Sequence, residues 1–532
     1  MRTIAFALGG LLAAGALAAC SSSAATSAPP APTPDAGPTV DAAAPPLQSV
    51  DVTTLPDAGS KIAWAACKGA AGYECATVSL PLDYQDATLG KVNIALSRTR
   101  ARGTDRIGVL LFNNGGPGAP SIQPFQAGQS PGTAANRDVL FDRFDIIAMD
   151  PRGIGQSSPV NCFNAAIEDG LRTTPTLPKG DAEWTARFAA MAAPGANCAS
   201  SPDAKLLARM DSATVARDMD AIRDLLGEEK LNYVGYSGGT HIGAMYATLF
   251  PTRVRSFVLD SPVYLTRDRR ERFRDVAVAV DDALTQFFAW CATSAKCTFG
   301  PAAGRTADSI AAAYDALVTS LDAAPLATAS RPLTGAEVRY GTLFLQYGPS
   351  AQWSQLGKAL ADASNGNGST LRTLVDNNVA PSDSASENFF TSFLAIAAGD
   401  GPLPATVTQA DLRTFIETEM PALGPRLGDV GPANELPFLL GWPITIAHVP
   451  PAISAKSAPP VLITATRHDP ATPYGDAAKL QAALGNGSHI LTYEGAGHTA
   501  LGASTCLGVA ATVFLLDPTK APTTTSCPNI AP

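Results

Sequence analysis

Two kinds of hydrophobic pattern alternate along this chain. "YECATVSLPLDYQ" and "KVNIALSRTRA" alternate apolar with polar positions and predict the two strands of a hairpin. Later runs do not alternate. Ile107 to Phe112 is apolar throughout and enters the cluster Asn113-Asn114-Gly115-Gly116-Pro117-Gly118, and Phe144 to Met149 enters "DPRGIGQSS". Unbroken runs of this length suit strands covered on both faces. "ATVARDMDAIRDLLG" carries the spacing of an amphipathic helix closed by Gly227. The β-prone run "LNYVGY" follows, then a helix with Ile242, Met245, Tyr246 and Leu249 on one face and Pro251 as its stop. "VRSFVLDSPV" supplies a further strand.

The alternation ends after Pro262. Helical segments such as "RFRDVAVAVDDALTQFFAWCA" and "TADSIAAAYDALVTSLDA" occupy residues 263–455, too long a stretch for a simple crossover. The strand pattern resumes in "APPVLITATRHDPATPY" and "SHILTYEGAGHTA". The expected architecture is α/β: a mostly parallel sheet, with its site at the strands' C-terminal ends and a large helical cap inserted into it. The core spans residues 56–262 and 456–532, the cap residues 263–455, and no internal repeat is visible.

Composition narrows the compartment and the partners. The chain has 532 residues, 46% of them hydrophobic, and a formal net charge of −9, with no basic run that would serve a nucleic-acid partner. "MRTIAFALGGLLAAGALAAC" has one Arg, an apolar run short for a membrane span, then small residues. It ends in Leu17-Ala18-Ala19-Cys20, which resembles a lipobox with Cys20 as the lipidated residue; the alternative is a plain secretory signal cleaved near Ala19. Residues 21–55 are Ser, Ala, Pro and Thr-rich and read as a disordered tether to the membrane of a bacterial cell envelope.

Nine cysteines less Cys20 leave eight, an even number that suits an oxidising compartment. They fall in neighbouring pairs: Cys67 and Cys75, Cys162 and Cys198, Cys291 and Cys297, Cys506 and Cys527. Short loop closure favours those pairings. No C-x-x-C and no H-E-x-x-H is present, so the sequence calls for no metal and no cofactor.

Candidate chemistry begins with G-x-S-x-G, which occurs twice. With 46 Gly in the chain the pattern alone says little. In Gly128-Gln129-Ser130-Pro131-Gly132 the serine precedes a proline, which has no N–H to hold an oxyanion, and the flanks read as loop. Ser237, in "GYSGG", stands between a strand and a helix, and Gly238 supplies the N–H that Pro131 lacks.

A serine nucleophile needs a base and an orienting acid. Strand-end loops after the serine offer Asp469, in "HDPATP", and His498, in "GAGHTA". His241 lies on the serine's own helix, His468 adjoins the acid, His448 falls in the cap, and His489 begins a strand at the far end of the sheet. Asp260, ending "SFVLD", rivals Asp469, whose carboxylate Thr472 could bond.

Taken in order, "NNGGPG", "DPRGIGQSS", "GYSGGT", "DPATPY" and "GAGHTA" resemble the α/β-hydrolases of peptidase family S33, in particular their secreted tripeptidyl-aminopeptidase-like branch. The resemblance spans about residues 60–262 and 456–532. It implies a triad of Ser237, Asp469 and His498, with an oxyanion hole made by the N–H groups of Gly116 and Gly238. Asn114 stands where related enzymes carry His in His-Gly-Gly-Pro-Gly, and Gly238 stands where bulkier residues are common. The expected function is an exported serine exopeptidase acting near free N-termini through an acyl-enzyme. A carboxylesterase with the same triad, or a non-catalytic binding lipoprotein, are the alternatives. An aminopeptidase also needs an acid for the substrate ammonium, for which the cap offers "DRRERFRDV" and the pair Asp281-Asp282.

Overall fold

The computed structural model describes residues 61–132, 136–265, 268–348, 350–380 and 383–530. The leader, Cys20 and the tether lie outside the described residues.

Ten strands form one sheet in the order β1-β2-β3-β5-β4-β6-β7-β8-β9-β10. The first five are Ala65–Ala66 (β1), Glu74–Pro81 (β2), Lys91–Thr99 (β3), Gly108–Asn113 (β4) and Phe144–Met149 (β5). The others are Leu231–Tyr236 (β6), Val254–Asp260 (β7), Leu462–His468 (β8), His489–Ala496 (β9) and Ser526–Cys527 (β10). β2 and β3 are the antiparallel hairpin expected from their alternation, and β3 joins β5 antiparallel. From β5 through β10 every pairing is parallel. Every residue of β4 and of β5 is buried, as parallel strands sandwiched between helices require. β8 starts at Leu462 rather than at Pro460, because proline has no N–H for the ladder.

Register places the site. Asn113 lies beside Gly235, Tyr236 beside Asp260, and Asp260 beside Thr464. The loops leaving β4, β6, β7, β8 and β9 therefore open side by side along one edge, where parallel sheets put their ligands.

Helices roof that edge. Between β7 and β8 run Arg269–Thr293, Ala307–Ala323, Gly335–Tyr347, Trp353–Ser364, Ser369–Val379, Ser384–Asp400 and Val430–Leu440, with shorter turns. They share a core of their own around Phe287, Phe288, Tyr314 and Leu360, separate from the clusters on the sheet. Two further helices, Ala165–Thr173 and Gly180–Ala199, leave the sheet after β5, and Trp184 and Phe188 of the second pack into this roof core. The hydrophobic pattern predicts no element there. The second helix is small-residue-rich and holds Pro194 internally, which blurs its periodicity.

All four neighbouring cysteine pairs are joined as disulfides. A second staple is ionic. Arg152 of the "DPRG" turn binds Asp218 through Nε at 2.7 Å and Nη2 at 2.6 Å, both side chains being 0% exposed. Its remaining N–H groups reach Leu82 O at 2.7 Å and Pro81 O at 3.1 Å. One guanidinium thus ties the β2–β3 turn to the helix Ser212–Leu225. Removing one partner strands a buried charge. Asp218→Ala should lower stability by about 3–5 kcal/mol in denaturant unfolding; a loss below about 1 kcal/mol would show that the pair is not a staple.

Candidate active site

Ser237 sits at the turn between β6 and the helix Gly238–Leu249, with φ 50° and ψ −123°. That backbone region is costly for a residue with a Cβ, at about 1–3 kcal/mol, and persists only where its surroundings over-determine it. Here they do. Ser237 N–H donates to Asp260 O at 2.9 Å, and Thr240 donates to Ser237 O from its backbone at 2.9 Å and from Oγ1 at 2.6 Å. The same Oγ1 accepts from Val263 N–H at 2.9 Å, which locks the turn to the loop after β7.

The glycine loop after β4 presses against this turn. A Cβ on Gly115 would stand 2.2 Å from Tyr236 O, and one on Gly239 would stand 2.8 Å from Asn113 Oδ1. Neither position admits a side chain. Gly238 and Gly116 meet here as well, since a Cβ on Gly238 would lie 3.1 Å from Gly116 C. As the first residue of its helix, Gly238 has an N–H with no intrahelical acceptor. Asn114 turns away from the serine: it bonds Pro120 O at 3.2 Å and exchanges amide hydrogen bonds with Gln129. Gln129 and Ser130 thus belong to the neighbouring loop that braces the glycine turn.

Asp469 and His498 come together. Nδ1 of His498 is 3.0 Å from each carboxylate oxygen of Asp469. The carboxylate, 1% exposed, also accepts from Ala471 N–H at 2.8 Å, Thr472 N–H at 2.9 Å and Thr472 Oγ1 at 2.8 Å. Burial pushes this acid upward, but the His498 charge and the four donors outweigh burial and hold it below its ordinary value. His498 N–H donates to Tyr347 O at 3.0 Å, so the roof helps position the histidine loop.

Asp260 does not touch the imidazole; it holds the histidine loop instead. It accepts from Leu501 N–H at 3.0 Å and Thr464 Oγ1 at 2.7 Å, and neighbouring Ser261 Oγ accepts from Thr499 N–H at 3.0 Å. Thr499 and Ser261 stand at φ 61° and 55°, two more strained residues beside Ser237. Fully buried, Asp260 is pushed up to about 6 by desolvation. The remaining histidines are placed as structural groups. His241 is buried and driven down to about 4 by burial and then by Arg269. His448 pairs with Asp83, and His468 Nδ1 with Asp282 Oδ2 at 2.6 Å.

Ser237, Gly116, Gly238, Thr472 and His498 line one cavity of about 250 Å³. Among the described residues Ser237 Oγ makes no hydrogen bond to His498, a contact of the kind that tightens as a substrate complex forms. Most of the remaining wall is apolar, with Phe389, Phe390 and Phe393 on one side and Val276, Val280 and Leu427 on another. Its charged groups are Arg269, Arg272, Glu435 and Asp400. In "DRRERFRDV", where the sequence offers acids for a substrate ammonium, it is two arginines that line the cavity. Asp281 is engaged elsewhere, accepting from the N–H groups of Arg426 and Leu427 at 2.9 Å each.

The alignment of residues 108–502 with the α/β-hydrolase fold family spans most of the chain. The serine protease Hip1 of Mycobacterium tuberculosis is 31% identical over 504 residues, covering 89% of this chain and 92% of that protein. Carboxylesterase B of the same organism is 30% identical over 461 residues, covering 85% and 86%. The tripeptidyl aminopeptidase of Streptomyces lividans is 28% identical over 437 residues, covering 80% and 77%.

The state of Asp260 can be checked by pH. Its folded value is raised above the ordinary carboxylate value, so the folded chain holds this proton where the unfolded chain has lost it. Stability from this group is complete below about pH 4 and is lost as pH rises through about 6. Asp260→Asn should flatten that part of the stability curve; an unchanged slope between pH 4 and 6 would show that Asp260 is ionised throughout.

The glycine loop, the strained serine turn and the acid–histidine pair at the ends of parallel strands agree with the family match and with these relatives: the chain belongs to the α/β-hydrolase family and is a tripeptidyl-aminopeptidase-like serine hydrolase.

Proposed function

We propose that this protein is an exported serine exopeptidase that cleaves peptide bonds near free N-termini through an acyl-enzyme at Ser237. The observation that carries this reading is His498, bonded to Asp469, lining the same cavity as a serine held in a strained turn. In this account His498 takes the Ser237 proton as the oxygen attacks the carbonyl. Asp469, kept ionised, holds the imidazole's orientation and balances its charge. The N–H groups of Gly238 and Gly116 receive the oxyanion. His498 then returns its proton to the leaving amine, and water hydrolyses the ester.

The helical roof favours substrates that enter by an end, because the strands' catalytic edge is covered rather than open to a folded chain. The serine protease and the aminopeptidase among the relatives support a peptide substrate. Export is supported by four disulfides and by the leader ending at Cys20, with lipidation of that cysteine as the proposed anchor. Among the described residues no helix is long and apolar enough to cross a membrane. A carboxylesterase is the second reading, favoured by the largely apolar wall and by the esterase among the relatives.

A tripeptide anilide with a free amine, its N-acetylated form and a short-chain p-nitrophenyl ester separate these readings. Turnover confined to the free-amine peptide, and reduced about 10⁴-fold or more in Ser237→Ala, is expected. Ester turnover without peptide cleavage would replace the peptidase with the esterase.

A further inference from the structure

The helix Arg269–Thr293 begins against the catalytic cavity, and its first turn holds Arg269, Arg270 and Arg272. Cations are disfavoured at the positive end of a helix dipole. Arg270 has an evident local role, since it pairs with Asp268 at 2.7 Å. Arg269 and Arg272 do not face that way. One turn apart on the same side, both line the cavity beside His498 and Thr472.

Their charges are incompletely met. Arg269, 4% exposed, donates from Nε to Glu435 Oε1 at 2.6 Å, while its Nη1 is buried without a partner. Arg272 donates from Nη2 to Ala471 O at 2.9 Å, its Nε is buried without a partner, and among the described residues it pairs with no carboxylate. Burial and then Arg269 push the Arg272 guanidinium down, against the pull of Glu435 and Asp476. The other acid in the wall, Asp400, is bound to Ser212, by its N–H at 2.8 Å and its Oγ at 2.5 Å, and burial raises it to about 7. Arg269 thus engages the remaining carboxylate, Glu435, through both Nε and Nη2, and Arg272 stands without one in a largely apolar cavity. A buried cation of this kind is stabilised by an anion supplied from outside, and a helix N-terminus adds to that attraction. An ammonium brought to Glu435 would instead meet both guanidinium groups.

We propose that Arg272, with Arg269 behind it, binds a carboxylate carried by the substrate close to the scissile bond. Ala471, whose carbonyl Arg272 holds, donates its own N–H to Asp469, so the anion would lie next to the acid–histidine loop. The carboxylate has two possible sources. It is an acidic group on the acyl side, or the C-terminal carboxylate of a short leaving peptide. The inference rests on the hydrolase reading of the cavity.

The test varies charge at constant size. Acyl-side preference is read from kcat/KM for free-amine tripeptide anilides ending in Glu, Gln or Lys. Leaving-side preference is read from a free-amine short peptide with a free C-terminus against its C-terminal amide. In at least one arm the carboxylate should be preferred by about tenfold or more, as one charge-assisted pair supplies. Arg272→Gln should collapse that ratio toward one whatever its effect on the neutral compound, and Arg272→Lys should restore part of it. Calorimetry of adipate against adipamide on Ser237→Ala keeps the site testable without turnover, with adipate expected to bind at least about tenfold more tightly. Equal or cation-favouring ratios in both arms, or equal binding of adipate and adipamide, would overturn the carboxylate subsite while leaving the hydrolase standing. Absence of all turnover with adipate still preferred would overturn the hydrolase and leave the anion site.

Discussion

The close approach of two backbone segments governs this structure. The glycine loop after β4 and the serine turn after β6 are in van der Waals contact, closer than any side chain at Gly115 or Gly239 would allow. That contact fixes Ser237 at φ 50°, brings Gly116 against Gly238, and sets the spacing at which two N–H groups could serve one oxygen. Parallel registry carries the same edge across to Asp260 and on to the loops that hold Asp469 and His498. The strain at Ser237, Ser261 and Thr499 is borne by burial and hydrogen bonds in the surrounding sheet.

Two buried aspartates beside one histidine show how environment divides labour. Asp469 accepts three hydrogen bonds in addition to the imidazole's, from Ala471 N–H, Thr472 N–H and Thr472 Oγ1, and is held ionised. Among the described residues Asp260 has only Thr464 and Leu501 as donors, and burial prevails. The one is suited to balance an imidazolium, the other to hold a loop.

Much of this was legible in the sequence because it is carried by local pattern. Apolar runs entering glycine-rich turns marked β4 and β5, the β-prone "LNYVGY" marked β6, and proline after Ser130 separated it from Ser237 by chemistry alone. The choice between Asp260 and Asp469 was not local: both end strands, and only the path of the loop after β9 brings one of them to Nδ1. The helix Gly180–Ala199 escaped because small residues and Pro194 dilute its periodicity, and Ala165–Thr173 because it is only nine residues long. In "DRRERFRDV" the acids drew attention, yet which face of that helix meets the cavity depends on its packing against the roof core. Only the fold shows that Arg269 and Arg272 lie there.

The central claim is that one serine, Ser237, is activated by its surroundings. Labelling the native protein with a fluorophosphonate and locating the adduct by peptide mass spectrometry tests it most directly. The account predicts one adduct, on Ser237, lost when His498 is replaced by Ala and absent from Ser130. An adduct on another serine, or none on the folded protein, would contradict it.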